Sequence, residues 1–573
     1  MKNIKGITII SLVITIIVLL ILAGISIQML SGDNGIINRT QEAKKQMEDN
    51  QDFEILKLKV IESSINEGKP DIEALIPKLH DMGCTILGSS FPLTVSYNGK
   101  EYKIEEDGTI KANNGKTDEN WDEDKGVNKP KLASGLIPVT FNNDGSVTEL
   151  SSNDYTNWYD YSNKKWANAI TKDKNGKITG YWVWIPRYEY KVNSAGQNFT
   201  VKFIPVTQTI EDNGYDHIHP AFRDGSKTHY MNGEWDSELP GIWVAKFPAG
   251  FQQNTITDSN GTLSEDISNS EDTLVLSNKN YTSVDGDSIN MALGTITVDS
   301  KMSLPVFNPL TYAYNMISTG DIYTLAQEVS KSTDFYGLSS NTNSHMLKNS
   351  EWGAITYLAQ SQYGRNGTEV NINNNATYYR EAPYKDAITG IYAEGADDWI
   401  ANSLGNPWYT AEGQLGSSTG NITGIYDLNG CVCERIACYI SNGSDYLEFY
   451  AGISNWAKTT ANENGYLTES SKYYTVYPYD ASSDTWQDNW NKYTSLKSST
   501  YGYGDAMIEI TTEIEDDHYN TWMYTSSGYM YMNFPFLERG GNFVIGSFSG
   551  SFQYGEDMGI GGESSGFRVA LCP

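Results

Sequence analysis

The sequence predicts an α+β protein in which an N-terminal transmembrane helix and a helical stalk precede a larger, loop-rich domain. Three observations support this prediction: a long uncharged apolar run near the N-terminus, an Asn-Gly pair between two alternating strands, and a region rich in aromatic residues but poor in helical periodicity. The expected segments are a leader at 1–6, a transmembrane helix at 7–30, a helical stalk at 31–68, a small β-hairpin element at 69–111, a linker at 112–132 and the loop-rich domain at 133–573.

The apolar run extends from Ile7 to Met29 without a charged side chain. As a helix it would be about 35 Å long, which is enough to cross a bilayer core of about 30 Å. Lys2 and Lys5 precede it, so the basic side is expected to stay in the cytoplasm. The predicted localisation is the cell membrane, with a single pass and the C-terminal domain extracellular. A removable secretory signal is the alternative, but its apolar region normally has only about 7 to 15 residues.

After the apolar run, residues 36–67 carry a ragged apolar stripe that is typical of a helical stalk. Between Leu93 and Ile104, alternating apolar residues flank Asn98-Gly99, a pair that favours a two-residue type I′ hairpin turn. Residues 112–132 are polar and predict an exposed linker.

The loop-rich domain contains almost all of the 39 tyrosines and 14 tryptophans of the chain, among short apolar runs separated by Asn, Gly, Ser and Asp. Helical periodicity is rare there. It predicts one helix at Lys348 to Ser361 and another near Pro309 to Ile317, and the composition indicates an insertion at 255–290.

The chain has 71 acidic and 41 basic residues, a net charge of -30. Binding to phosphate groups relies on clustered Lys and Arg, so no nucleic acid is expected as a partner. No cofactor is expected either, although an acidic surface leaves a structural Ca²⁺ ion as an open alternative. Cys84, Cys431, Cys433, Cys438 and Cys572 are odd in number and lack zinc-type spacing, so a disulfide framework is not expected. Cys431, Cys433 and Cys438 are expected to be small core residues, with a thiolate cluster as the alternative.

The N-terminal residues Lys5 to Val13 combine a short basic leader, a glycine and the start of the apolar run. This arrangement resembles the N-terminal signature of type IV prepilins and pseudopilins. The resemblance implies that a prepilin peptidase cleaves after Gly6, that Ile7 is N-methylated, and that other pilin-like subunits are partners. The family usually has a glutamate where this chain has Ser11, which puts assembly as a main filament subunit in question.

The loop-rich domain contains a series of motifs at Tyr181 to Arg187, Gly241 to Phe247, His345 to Trp352, Asn421 to Gly430, Arg539 to Phe543 and Gly566 to Val569. In this order they resemble the motifs of the formylglycine-generating-enzyme fold, a variant of the C-type lectin fold. The resemblance implies a lectin-like core with little regular structure. Where the family usually has Asn-Val-Trp-Glu, this chain has Cys431-Val432-Cys433-Glu434, which implies different local packing.

The cysteine and histidine residues on which the chemistry of that family depends are not matched in this chain. Its namesake oxidises a substrate cysteine with a cysteine pair near the C-terminus, but this chain has no cysteine between Gly541 and Gly566. Related iron enzymes need a histidine triad or two histidines with a carboxylate, and only His217 and His219 lie close together. The chain is therefore expected not to be an enzyme and to have no catalytic or metal-binding residues; an enzyme on this fold is the alternative.

The segment from Asn542 to Ser565 mixes apolar and aromatic residues with small polar ones between glycines. It resembles the C-terminal variable region of lectin-fold proteins diversified by retroelements, in which a fixed scaffold presents an exchangeable binding patch. Aromatic rings give a large contact area, while Ser and Asn give adaptable hydrogen bonds. The alternative is that Phe543, Phe548 and Phe552 are core positions. The expected ligand-binding residues are Asn542, Phe543, Val544, Ile545, Ser547, Phe548, Ser551, Gln553, Tyr554, Glu556, Asp557, Met558, Glu563 and Ser564.

These observations predict a membrane-anchored, pilin-like surface protein that displays a non-catalytic lectin-fold head for adhesion or recognition. The expected partners are the membrane, the prepilin peptidase and an unknown extracellular protein or glycan. The alternative function is that of a pseudopilin or minor pilin in a type II secretion or type IV pilus system.

Overall fold

A computed structural model describes most of the chain after residue 54. The described residues are 55–63, 69–98, 100–106, 108–113, 120–152, 154–193, 198–224, 235–250, 304–315, 317–375, 377–378, 385–394, 405–440, 446–447, 471–480, 482–483, 485–496, 504–514, 519–521, 526–562 and 564–572. The chain divides into two compact units, which we call unit 1 (residues 1–119) and unit 2 (residues 120–573).

Unit 1 is a small sheet packed against helices. Residues 55–63 are helical, and helix α1 spans Ile72–Asp81. The strands are β1 (Thr85–Leu87), β2 (Leu93–Tyr97), β3 (Lys100–Ile104) and β4 (Ile110–Asn113), antiparallel in the order β1-β2-β3-β4. Tyr97 pairs with Lys100 across the turn, and Asn98 has a φ of 49°. The hairpin predicted from Asn98-Gly99 is therefore confirmed.

Unit 2 contains most of the β structure. Its described strands, numbered in chain order, are β5 Trp121–Asp122, β6 Val127–Asn128, β7 Ile137–Phe141, β8 Val147–Glu149, β9 Asn168–Lys172, β10 Ile178–Pro186, β11 Tyr188–Asn193, β12 Asn198–Phe203, β13 His217–Ile218, β14 Gly241–Ala245, β15 Asn343–Met346, β16 Thr377–Tyr378, β17 Lys385–Asp386, β18 Ile391–Tyr392, β19 Asn406–Pro407, β20 Cys433–Ile440, β21 Thr475–Tyr477, β22 Thr511–Ile514, β23 Tyr519–Thr521, β24 Ser526–Ser527, β25 Phe536–Arg539, β26 Tyr554–Asp557, β27 Ser565–Phe567 and β28 Val569–Cys572. The α-helices of unit 2 whose bounds are described are α2 Thr319–Lys331, α3 Thr333–Tyr336, α4 Asn349–Gln360 and α5 Trp486–Leu496.

Two sheets organise unit 2. A seven-stranded sheet has the order β15-β28-β14-β10-β9-β7-β8, and a five-stranded sheet has the order β21-β20-β25-β26, with β27 also paired to β20. Trp182, Trp184 and Trp243 of the first sheet are completely buried. Large aromatic side chains thus supply much of the buried area in a unit whose strands are short.

A single arginine lies where the chain passes from one sheet to the other. Arg568 separates β27 from β28, and its Nη2 lies 2.6 Å from Oε1 of Glu434 in β20, with both side chains fully buried. The guanidinium also donates to the carbonyl oxygens of Ala245 at 2.7 Å and Tyr426 at 2.8 Å. One charged group therefore connects β20, the end of β14 and the loop that precedes β20.

The helix predicted at Lys348 to Ser361 is confirmed, because α4 occupies Asn349–Gln360 with Lys348 and Ser361 as its caps. The Glu351 carboxylate accepts a hydrogen bond from the Lys348 backbone N–H at 2.9 Å, which satisfies a donor at the helix start. The helix predicted near Pro309 to Ile317 is wrong. The described residues of that stretch form isolated bridges, and α2 begins only after Ser318, whose side chain accepts from Asp321 N–H.

The predicted fold class requires correction, since the described chain is mostly β-sheet with few helices. The predicted helical stalk at 31–68 is described only at 55–63. There Leu56 and Val60 are buried in one cluster with Leu75 of α1 and Val95 of β2. The i, i+4 spacing of Leu56 and Val60 thus packs the described helical residues into unit 1, where the sequence predicts a stalk.

The predicted transmembrane helix and single-pass membrane localisation are also corrected. Within the described ranges, none of the helices combines the length and apolar character that a membrane span requires. The longest, α2, has 13 residues and is therefore about 20 Å long, and it contains Asp321, Glu328 and Lys331. Residues 7–30, to which the prediction refers, lie outside the described residues, as does most of the predicted insertion at 255–290.

We expect the substitution Arg568→Met to destabilise unit 2 by about 3–5 kcal/mol, because it leaves the buried Glu434 carboxylate without its cation. The measurement is the free energy of unfolding in urea. The double variant with Glu434→Met should recover part of this loss. Lys174→Met is the matched control, since its partner Asp334 is 83% exposed, and it should cost less than about 1 kcal/mol. Equal losses of unfolding free energy in Arg568→Met and Lys174→Met would contradict a large contribution of the Arg568–Glu434 pair to stability.

Candidate functional site

The predicted binding segment, Asn542 to Ser565, is built around one hairpin. Strands β25 and β26 are antiparallel, with Phe536 opposite Asp557 and Arg539 opposite Tyr554. Residues 540–553 connect them, and we call this connection the β25–β26 loop. Because the strands run in opposite directions, the loop lies at one end of the hairpin and residues after 557 leave from the other end.

The structure therefore divides the predicted binding residues into three groups. The β25–β26 loop brings together Asn542, Phe543, Val544, Ile545, Ser547, Phe548, Ser551 and Gln553. Tyr554, Glu556 and Asp557 belong to β26. Met558 and Ser564 follow the strand, and Glu563 lies outside the described residues.

The first arm of the loop, residues 540–543, is fixed by glycines and by one buried aromatic ring. Gly540 and Gly541 have φ values of 84° and 68°, which L-residues with a side chain rarely adopt. Phe543 is only 2% exposed and packs in a cluster that includes Val432. Its backbone N–H donates to the Cys431 carbonyl oxygen at 3.0 Å. Phe543 is thus an anchor of the loop and faces the interior.

The second arm of the loop, residues 549–553, is held by residues from distant parts of the sequence. The Trp352 indole N–H, from α4, donates to the Ser551 carbonyl oxygen at 2.7 Å. The Ser551 hydroxyl donates to Oε1 of Glu369 at 2.8 Å. Between the arms, the Ser549 hydroxyl donates to the Asn542 carbonyl oxygen at 3.0 Å. These contacts restrict the motion of the two arms of the loop.

At the tip of the loop, residues 544–548, the side chain of Phe548 faces solvent. Phe548 is 39% exposed, among the few large apolar side chains of the described chain with such exposure, whereas Val544 and Ile545 are partly buried and Val544 packs against the cluster of Phe543. Residues Gly546–Phe548 form a single 3-10 turn. The Val544 backbone N–H donates to Oδ1 of Asn542 at 2.9 Å. The arrangement presents an apolar surface on a restrained backbone.

Tyr554 and Asp557, two of the predicted binding residues in β26, have structural contacts. Tyr554 is fully buried and stacks on Trp490 with ring centroids 6.1 Å apart. Asp557 accepts two hydrogen bonds from the buried Arg435 guanidinium, at 2.7 and 3.0 Å. Burial raises the pKa of Glu556. Tyr554 and Asp557 thus hold the hairpin in the sheet, and Phe548 at the tip is the exposed large apolar side chain of the predicted segment.

Comparisons with known proteins leave the family unassigned: no protein-family model and no curated protein sequence matches the chain. Among solved structures, a match is found to the Major Tropism Determinant I1 variant, with 13% identity over 85% of this chain and 81% of that chain and a TM-score of 0.22. The name agrees loosely with the resemblance noted at Asn542 to Ser565. A TM-score this low carries no argument about fold or function.

The histidine pair does not form a metal site in the described residues. His219 is fully buried, its Nδ1 accepts from Ala221 N–H at 3.3 Å, and desolvation holds its pKa well below the ordinary value. Within the same residues no group of three His, Cys, Asp or Glu side chains could hold a metal ion. All five cysteines are free and buried, as their spacing predicts, and burial raises the pKa of each thiol.

A cavity of about 260 Å³ lies between β7, β9 and residues 421–423, with Phe141 and Trp166 in its lining. Its polar lining side chains are already paired: Lys165 donates to the Asn157 carbonyl oxygen and Asn421 to that of Lys164. The cavity is smaller than the roughly 300–1,000 Å³ of ordinary ligand pockets. We therefore assign the candidate site to the loop tip.

Two further outcomes concern the sequence-based site predictions. Gly6 and Ile7, the predicted cleavage and methylation positions, lie outside the described residues and stay a prediction. Glu369 contacts the loop but is absent from the predicted site. It lies far upstream in an ordinary polar stretch, so no local pattern indicates it.

We expect Gly541→Ala to destabilise the loop because an added Cβ would lie 2.5 Å from Ser549 Oγ and 2.6 Å from its Cα, at a φ of 68°. Gly176→Ala is the control: its φ is 83°, but nothing lies within 4 Å of the added Cβ. The control should cost about 1–2 kcal/mol from backbone strain alone. A urea unfolding measurement should give a larger loss for Gly541→Ala, and an equal loss would contradict the close packing of the loop arms.

Proposed function

We propose that unit 2 is a non-catalytic recognition module that binds another protein through the tip of the β25–β26 loop. The observation that carries this proposal is a restrained loop whose tip exposes the apolar side chain of Phe548. Phe543 anchors the loop inside, while Phe548 is 39% exposed outside. A preorganised apolar surface loses little conformational entropy when it binds, which favours its use in recognition.

The charge of the loop supports the same proposal. Residues 540–555 contain no Asp, Glu, Lys, Arg or His, in a chain of net charge -30. Charged residues are depleted at the centres of protein interfaces, where aromatic residues are enriched. The loop thus has the composition of an interface centre, and the acidic remainder of the surface keeps the protein in solution.

A protein ligand fits the tip better than a glycan does. Val544, Ile545 and Phe548 offer no side-chain hydrogen bonds, whereas the hydroxyl groups of a sugar need donors and acceptors when they lose water. An apolar cleft on a protein surface needs none. We therefore propose a protein with an apolar cleft as the ligand and treat glycan binding as an outcome of the test.

The absence of catalysis is part of the proposal. It is supported by the buried cysteines, whose raised pKa disfavours the reactive thiolate. It is further supported by the paired state of buried carboxyl groups such as Glu509, which accepts hydrogen bonds from Tyr190 and Tyr357.

The test is selection from a phage-displayed random peptide library on the immobilised full chain, with a glycan array in parallel. We expect peptides with apolar side chains to be enriched. Phe548→Asp should weaken their binding at least about tenfold, because it places a charge where an apolar contact forms. Binding is measured by fluorescence anisotropy.

Met532→Asp is the matched control for this test. Met532 is 51% exposed and lies before β25, at the end of the hairpin opposite the loop. Its substitution should leave peptide binding unchanged. The proposal is overturned if no peptide is enriched, if Phe548→Asp binds like the wild type, or if only glycans bind.

A further inference from the structure

The cavity between β7, β9 and residues 421–423 has a buried floor and a partly exposed rim. Trp158 and Trp166 of its lining are at most 1% exposed, whereas Phe141 and Lys165 are half-buried. Its volume of about 260 Å³ exceeds the roughly 150 Å³ at which an apolar cavity already accepts benzene. The cavity is thus large enough for a single ring with a small substituent, although not for a larger ligand.

The polar groups of the floor are occupied by the protein itself. The Trp158 indole N–H donates to the Asn168 carbonyl oxygen at 2.7 Å, and the Trp166 indole N–H donates to that of Tyr363 at 2.9 Å. The side-chain amide of Asn168 donates to the carbonyl oxygens of Trp166 and Thr423, at 3.0 and 2.8 Å. An apolar ring can therefore replace water at the floor without leaving a polar group unpaired.

A buried cation lies directly behind this wall. Nζ of Lys246, a fully buried residue, donates to Oδ1 of Asn168 at 3.0 Å and to the carbonyl oxygens of Ile422 and Gly424, both at 2.7 Å. It also lies 4.9 Å from the centroid of the Phe141 ring. Asn168, Ile422 and Phe141 all line the cavity, so a single layer of residues separates Lys246 from a ligand.

The surroundings of Lys246 fit an ammonium group. Its three oxygen acceptors match the three N–H groups of an ammonium. Burial lowers the pKa of Lys246, but a neutral amine would turn its lone pair towards one of the three oxygens, so the ammonium is the form that this site fits. Among the residues that the structure describes, no carboxylate pairs with it. Its charge therefore acts on the cavity without compensation.

A second cation lies at the rim. Nζ of Lys165 donates to the carbonyl oxygen of Asn157, the residue before Trp158, so the lysine side chain runs beside the segment that lines the cavity. This bond uses one of three ammonium N–H groups, and in the described part of the chain Nζ makes no other hydrogen bond. Lys165 is also the one charged residue of the lining. The cavity thus combines an aromatic floor with two neighbouring cations.

We propose that this cavity binds a compact aromatic carboxylate, with its ring against Trp158 and Trp166 and its carboxylate at the rim beside Lys165, in the field of Lys246. A carboxylate would accept the remaining N–H groups of Lys165 through charge-assisted hydrogen bonds. No residue of the β25–β26 loop lines the cavity, so the inference does not depend on the proposed function.

The experiment compares benzoate, benzamide and benzamidinium, which have nearly the same shape but charges of opposite sign or none. Their dissociation constants for the full-length protein are measured by ligand-observed NMR titration. We expect benzoate to bind at least about tenfold more tightly than either of the other two, because the charge that surrounds the cavity is positive.

Two variants locate the site. Lys165→Met should weaken benzoate binding at least about threefold and leave benzamide binding unchanged, because it removes the cation at the rim. Lys174→Met is the matched control: it removes a lysine that is 67% exposed and lies outside the lining, so it should bind benzoate like the wild type. Val139→Phe adds a ring to a lining residue that is 1% exposed and should abolish benzoate binding.

The proposed site is overturned if benzoate does not bind at about 10 mM, or if benzamide or benzamidinium binds as tightly. It is also overturned if Lys165→Met and Lys174→Met bind benzoate equally, or if a folded Val139→Phe variant binds it like the wild type. Should Val139→Phe fail to fold, the three probes and the two lysine variants decide. Peptide binding at the loop tip is measured separately, so either proposal can fail without the other.

Discussion

The buried pair between Arg568 and Glu434 is the contact on which the architecture of unit 2 depends. Arg568 lies at the point where the chain leaves the five-stranded sheet and enters the seven-stranded one. Its guanidinium reaches β20, the carbonyl oxygen of Ala245 and that of Tyr426. With this many donors in a fixed planar arrangement, an arginine can join three chain segments that no apolar side chain could orient. The hairpin of β25 and β26 is positioned by the same β20 strand, so the placement of the loop follows from this junction.

The β25–β26 loop contains inward-facing and outward-facing residues that are close together in the sequence. Phe543 and Phe552 face inward and are almost fully buried, whereas Phe548 faces outward. The inward residues and the glycines determine the path of the backbone, and the outward residues determine the chemistry that the loop presents. The exposed apolar area is small, so any affinity depends on how well the backbone is held before binding.

Local sequence signals predicted one turn and one helix of the described chain. The Asn98-Gly99 turn and the helix at Lys348 to Ser361 could be predicted from the sequence because a turn type and a helix period are encoded in a few neighbouring residues. The stalk prediction was wrong because Leu56 and Val60 belong to the core of unit 1, and a stripe of apolar residues does not reveal what covers it. The prediction that the segment Asn542 to Ser565 binds a ligand stays a prediction, and the division of this segment between the two ends of a hairpin follows from strand register. The hydrogen bond between Ser551 and Glu369 spans 182 residues of sequence, and no pattern within one segment shows such a contact.

The contacts that hold the loop mostly use main-chain atoms. The indole of Trp352 bonds the carbonyl oxygen of Ser551, the amide of Phe543 bonds the carbonyl oxygen of Cys431, and the hydroxyl of Ser549 bonds the carbonyl oxygen of Asn542. Every residue type carries these carbonyl groups, so these contacts do not depend on the exposed side chain at position 548. A substitution at that position would therefore leave the main-chain bonds of the loop in place.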